Sequence, residues 1–89
     1  MKLLKILFFT GPDCSICDNQ DLILQKITRD RPIGYEKKLI TTAFDLALRY
    51  GIKSAPALVY LLDNRPVIVT PGFQSAEMIT TSLNLIQNG

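Results

Sequence analysis

The chain has 89 residues, enough for one domain and too few for two, so residues 1–89 are predicted to form a single domain. Its net charge of +2 is small and its basic residues are scattered, which argues against a nucleic-acid partner. The sequence contains no histidine, so the commonest general base and nitrogen ligand for metals is missing. No apolar run approaches the ~20 residues that a membrane-spanning helix needs, and no membrane partner is expected.

The first predicted element is a strand over residues 3–9, where the sequence is almost continuously apolar, as in strands covered on both faces. Lys5 interrupts this run and no small-residue cleavage site follows, so we interpret it as a buried strand and not as a signal peptide. We therefore expect the protein to be cytoplasmic. Gly11 and Pro12 then end the strand in a turn.

A helix is predicted next, over residues 15–29, because Ile16, Ile23 and Ile27 fall on one face at helical spacing. The remaining predicted elements are strand 33–40, helix 43–50, strands 57–62 and 66–70, and helix 74–87. The last helix carries one apolar stripe, formed by Ala76, Ile79, Leu83 and Ile86. This order, β-α-β-α-β-β-α, predicts an α/β fold in which three helices flank both faces of a four-stranded mixed sheet.

The two cysteines of the chain, Cys14 and Cys17, lie where the first helix begins. A disulfide between them would close so short a loop that the chain-entropy model gives it only roughly 2 kcal/mol of stabilisation. The pair is therefore better explained as a redox switch than as a structural bridge. A helix N-terminus favours a thiolate, so Cys14 is predicted to attack and Cys17, one turn later, to resolve the mixed disulfide.

Two carboxylates, Asp13 and Asp18, flank the pair, and negative charge nearby disfavours a thiolate. This favours a reductant over a strong oxidant. Two other interpretations of the pair stay open. The cysteines could supply half of a zinc or iron–sulfur site shared between two chains, since a structural zinc site needs four ligands. They could also be inert residues of a surface loop.

Three separated segments resemble the thioredoxin superfamily. The first is the strand, turn and CxxC helix from Lys5 to Cys17. The second runs from Tyr50 to Val59 and is similar to the family segment that leads into a cis-proline. The third, Val69 to Phe73, resembles the segment that carries a glycine after the family's hairpin. Together they cover most of the chain and imply a thioredoxin fold.

The resemblance implies a cis bond between Ala55 and Pro56, placed against the cysteine pair. It also implies that the backbone of Ala55 pairs with a client chain and that Gly72 lets the client approach. Ile16, Phe73 and Pro56 would then form an apolar rim. Two departures from the family pattern stand out: Asp13 replaces a frequent tryptophan, and Phe8 occupies the position of a buried aspartate.

Glutaredoxins share this fold and bind glutathione through a threonine-valine-proline segment and a double glycine. The corresponding segments here read Ser54-Ala55-Pro56 and Pro71-Gly72-Phe73, so a protein-disulfide reductase is favoured over a glutathione-linked glutaredoxin. The resemblance implies a monomer without bound cofactor, whose redox group is the Cys14–Cys17 dithiol. Its electrons would come from a thioredoxin reductase or glutathione, and its clients could include ribonucleotide reductase. A non-enzymatic binding module with the same fold is the other alternative.

Overall fold

The computed structural model describes residues 2–88, and the elements follow in the predicted order. The strands are β1 (Leu4–Thr10), β2 (Gly34–Leu39), β3 (Ala57–Leu62) and β4 (Arg65–Pro71). The helices are α1 (Ser15–Arg29), α2 (Phe44–Arg49) and α3 (Ala76–Asn88). The predicted domain also includes Met1 and Gly89, which lie outside the described residues.

The four strands form one mixed sheet, as predicted, and their order in the sheet is β2-β1-β3-β4. β1 and β2 are parallel because α1 carries the chain back across the sheet between them. β3 pairs antiparallel with β1 and with β4, to which a short hairpin connects it. The central strands β1 and β3 are almost wholly buried, which explains their continuous apolar sequence.

Each face of the sheet has its own hydrophobic core. Under α1 and α3, side chains such as Phe8, Leu24 and Leu83 are no more than 1% exposed. The opposite face packs against α2, where Phe9 and Ala47 belong to the same core and the ring of Phe9 lies edge-on to that of Tyr50. Because β1 contributes alternate residues to both cores, it is fixed from both sides, and so is the loop that follows it.

Two predictions about the helices need correction. The buried line of α1 runs through Cys17, Gln20 and Leu24, whereas Ile23 and Ile27 on the predicted apolar face are only partly buried and Ile16, on the first turn, is 52% exposed. α3 begins at Ala76 and not at residue 74, because the Ser75 hydroxyl accepts a hydrogen bond from the Met78 N–H and so caps the helix. Ala76 itself is exposed and does not join the apolar stripe.

An ion-pair cluster at the β2 edge predicts a loss of stability in acid. Hydrogen bonds from Lys38 and Lys5 lower the pKa of Glu36 from 4.5 to about 2. Because the folded-state pKa lies below the unfolded value, this stabilisation is present above pH 4.5 and is lost as the pH falls towards 2. A Glu36→Gln variant should therefore have a lower urea midpoint than wild type at pH 7 and nearly the same midpoint near pH 2.

Glu77 provides the matched control for this measurement, since it is exposed and makes no salt bridge within residues 2–88. A Glu77→Gln variant should track the wild-type midpoint more closely than Glu36→Gln at pH 7. A gap between wild type and Glu36→Gln that stays constant from pH 7 to pH 2 would contradict the expected titration.

Candidate redox site

Cys14 is the N-cap residue of α1. Asp13, which precedes it, adopts a left-handed backbone conformation with φ of 51°, so the chain leaves β1 and turns sharply into the helix. The first N–H groups of a helix have no partner within it. Here the Cys14 sulfur accepts a hydrogen bond from the Cys17 N–H, with Sγ and N 3.1 Å apart. The sulfur therefore lies where unpaired amide dipoles favour negative charge.

The two cysteines differ in their exposure to solvent. A disulfide joins them, and their Cα atoms are 5.1 Å apart, well inside the range that a disulfide spans. Cys17 is 1% exposed and belongs to the core beneath α1, whereas Cys14 is only partly buried. An incoming thiolate or disulfide can therefore react with the Cys14 sulfur, whereas the Cys17 sulfur is accessible only to Cys14.

The Ala55–Pro56 peptide bond is cis, as the resemblance implies for this position. Pro56 is buried, and Ala55 packs against the same core as Cys14. A Cβ atom added to Gly11 would lie 3.5 Å from the Cβ of Ala55, so the turn before the cysteines runs beside Ala55. The backbone N–H and C=O of Ala55 make no hydrogen bond within residues 2–88.

Gly72 lies beside Pro56. Its φ of 79° is a left-handed value that glycine adopts readily, and its N–H donates a hydrogen bond to the Pro56 C=O over 2.9 Å. Phe73, the next residue, is 42% exposed, and Ile16 on the first turn of α1 is 52% exposed. The structure thus brings Ala55 to the same core as Cys14 and joins Gly72 to Pro56, and the arrangement of Ile16 and Phe73 around the sulfur stays a prediction.

The structure adds a residue that was not predicted from the sequence, Gln20. Its side chain is fully buried and exchanges two hydrogen bonds with the backbone of Gln74. The signal that could have revealed it is its position. Residues 17, 20 and 24 are spaced three and four apart, so the line that buries Cys17 and Leu24 must bury Gln20 as well.

The charges of the site are all on its surface. Asp13 and Asp18 are exposed and make no salt bridge within residues 2–88. Lys53, near Pro56 in sequence, is exposed too. Among the described Asp, Glu, Lys, Arg, Asn and Gln residues, the buried ones are Gln20 and Gln74. Phe8, at the position of the family's buried aspartate, belongs to the core beneath α1. The described residues therefore place no buried carboxylate beside Cys17.

Residues 2–88 contain no group of three or more histidine, cysteine, aspartate or glutamate side chains suited to hold a metal ion. Within the same residues, no helix is long and apolar enough to cross a membrane.

Comparisons with solved structures reveal close matches in fold. A mutant thioredoxin from Halobacterium salinarum NRC-1 has a TM-score of 0.85 and 18% identity, over 92% of this chain and 73% of that one. Thioredoxin-2 of a malaria parasite, a component of its protein secretion machinery, has a TM-score of 0.81 and 20% identity, over 99% and 84% of the two chains. The germline-specific thioredoxin Deadhead from Drosophila melanogaster has a TM-score of 0.82 and 21% identity, over 93% and 81%.

These similarities define the class of structure: the chain has a thioredoxin fold, with a cysteine pair at the start of α1. No family model matches the sequence, and no curated protein matches it.

Proposed function

We propose that this protein is a thiol-disulfide oxidoreductase that reduces protein disulfides through the dithiol of Cys14 and Cys17. The observation that carries the proposal is the asymmetry of the pair. One sulfur is partly exposed and accepts a helix N–H, and its partner is buried directly behind it. Such an arrangement suits one thiol to attack a client and the other to complete the reaction.

The reaction proceeds in two displacements. The Cys14 thiolate attacks one sulfur of the client disulfide, a new S–S bond forms, and the other client sulfur leaves as a thiolate. Cys17 then loses its proton and attacks Sγ of Cys14, which releases the second client sulfur. The client gains two electrons and two protons, and the protein becomes the Cys14–Cys17 disulfide seen in the structure.

In the absence of a buried carboxylate beside Cys17, its proton would pass to the departing client thiolate or to water. Proton removal from Cys17 is therefore expected to depend on how close the departing client thiolate or a water molecule lies to the Cys17 sulfur, and not on a dedicated base. This sets the proposed chemistry apart from reactions that rely on a Cys–His pair, which the chain cannot form because it has no histidine.

The open backbone of Ala55 supports docking of an extended client segment. An N–H and a C=O without protein partners can pair with a client backbone in the manner of an added strand. Exposed Ile16 and Phe73 would contact apolar side chains of the client, and Pro56 and Gly72 would lie beneath its backbone. Because this mode pairs mainly with the client backbone, it depends little on the client sequence, as expected for a reductase of several clients.

Electrons would return the disulfide to the dithiol without a bound cofactor. The donor would be an NADPH-dependent thioredoxin reductase or glutathione, and the reducing cytoplasm is the compartment in which such a cycle runs. Clients would be disulfide-bearing proteins, of which ribonucleotide reductase is one candidate. We propose that the protein acts as a monomer.

The proposal is tested by the reduction of insulin with dithiothreitol as the electron source. The wild-type protein should accelerate the reaction, and a variant with both cysteines replaced by serine should not. Equal rates for the two proteins would contradict a reductase and favour a binding module. Replacing dithiothreitol by glutathione, or by NADPH and a thioredoxin reductase, then identifies the donor.

A further inference from the structure

The side chain of Gln20 connects α1 to a segment 54 residues further along the chain. Its Nε2 donates to the Gln74 C=O over 2.9 Å, and its Oε1 accepts from the Gln74 N–H over 2.7 Å. Both ends of one fully buried amide are therefore satisfied by the backbone of a single residue. The side chain pairs with residue 74 in much the way that a neighbouring strand would.

The segment that Gln20 holds lies between β4 and α3, in neither a strand nor a helix. Without Gln20, the N–H and C=O of the buried residue Gln74 would lose these partners, which is costly for buried backbone groups. The other end of the segment is fixed as well, since the Gly72 N–H donates to the Pro56 C=O over 2.9 Å. Phe73 lies between these two attachment points.

Phe73 is 42% exposed, so burial alone does not hold its ring in place. The hydrogen bonds of its two neighbours fix its backbone instead: one joins Gly72 to the cis-proline segment, and two join Gln74 to Gln20 of α1. A client that contacts the ring then meets a surface that is already ordered, and less conformational entropy is lost on binding.

We propose that Gln20 is a positioning residue for client binding: it fixes Phe73 relative to the attacking sulfur of Cys14. This inference rests on the proposed function. Within residues 2–88 the Gln20 side chain makes no hydrogen bond to either sulfur, and it acts through the backbone of Gln74. Its loss weakens the binding of a protein client that contacts Phe73 and leaves unchanged the exchange with a small disulfide that does not.

The test uses Gln20→Met, which keeps the length of the side chain and removes its hydrogen bonds. The KM for insulin is expected to rise about tenfold, the equivalent of about 1.4 kcal/mol of lost binding, while kcat changes by less than about twofold. The rate with hydroxyethyl disulfide is expected to stay constant. Gln25→Met is the matched control, because Gln25 lies on the same helix but is exposed and bonds only to Asp21.

The same substitution is then made in a Phe73→Ala background. If Gln20 acts by positioning Phe73, Gln20→Met should raise the KM by less than about twofold once the ring is gone. An equal rise in both backgrounds overturns the proposal and indicates a general effect on folding. A wild-type protein that reduces neither insulin nor hydroxyethyl disulfide would instead refute the proposed function.

A measurement on the wild-type protein covers the case in which Gln20→Met does not fold. Amide hydrogen exchange of Gln74 should be slower than that of an unprotected loop amide by about a factor of 100 or more, since the amide is bonded to Gln20 and buried. Exchange at the rate of an open loop would overturn the proposal, because the attachment on which it depends would then not persist in solution.

Discussion

A Cys17→Ala variant is expected to stop after one displacement and to keep its client bound through a disulfide on Cys14. Without the second thiol, the mixed disulfide can be opened only by reductant from solution. An adjacent thiol acts at an effective concentration far above that of any added reductant, so multiple turnover should fall by roughly a thousandfold. The trapped species is detected by mass spectrometry after rapid acid quenching and by its sensitivity to reductant.

The matched control for this experiment is Cys14→Ala. Cys17 is 1% exposed, so this variant should form no mixed disulfide even though it retains one thiol. A client attached through Cys17 in the Cys14→Ala variant would reverse the assigned roles. Attachment to neither variant, together with an inactive wild-type protein, would favour a binding module.

The second large effect is on stability. Phe8 is 1% exposed at the centre of β1, and its ring stacks on Tyr35 with the centroids 6.4 Å apart. Phe8→Ala removes this buried ring and leaves a cavity, which typically costs about 3–5 kcal/mol. Since small domains have a total stability of only about 5–15 kcal/mol, the variant should be close to unfolding at room temperature.

Urea unfolding of Phe8→Ala and Phe44→Ala compares the same substitution at two depths. Phe44 is 58% exposed on α2, so its loss should change the free energy of unfolding by no more than about 0.5 kcal/mol. Equal effects at the two positions would mean that the two-sided core described for β1 does not dominate the stability of the domain.

The order of the elements could be predicted because apolar runs and turn residues mark them directly. β1 and β3 are buried on both faces and therefore show as almost unbroken apolar sequence, with Lys5 as the interruption in β1, and Pro12 and Gly72 lie where the chain turns. The position of Cys14 at the start of α1 followed from the same local pattern. These features depend on neighbours within a few residues, which a single sequence displays.

The errors arise where distant residues decide the outcome. The spacing puts Ile16 on the apolar face of α1 but does not indicate that it is 52% exposed, and a polar residue such as Gln20 gives no local sign of burial. In the structure the backbone of Gln74 satisfies the Gln20 amide, which makes burial of this polar side chain favourable. The same contact holds residue 74 outside α3, so the predicted start of that helix was too early.

The sulfur of Cys14 also caps α1 by accepting a hydrogen bond from the Cys17 N–H. Each step of the proposed cycle therefore changes the charge or the bonding of this acceptor atom. A thiolate makes a charge-assisted hydrogen bond, roughly twice as strong as the bond to an uncharged sulfur. The first turn of the helix should accordingly tighten on reduction and relax when a client or the disulfide occupies the sulfur. The amide resonance of Cys17 is thus a built-in spectroscopic reporter, able to follow the state of the sulfur without any added label.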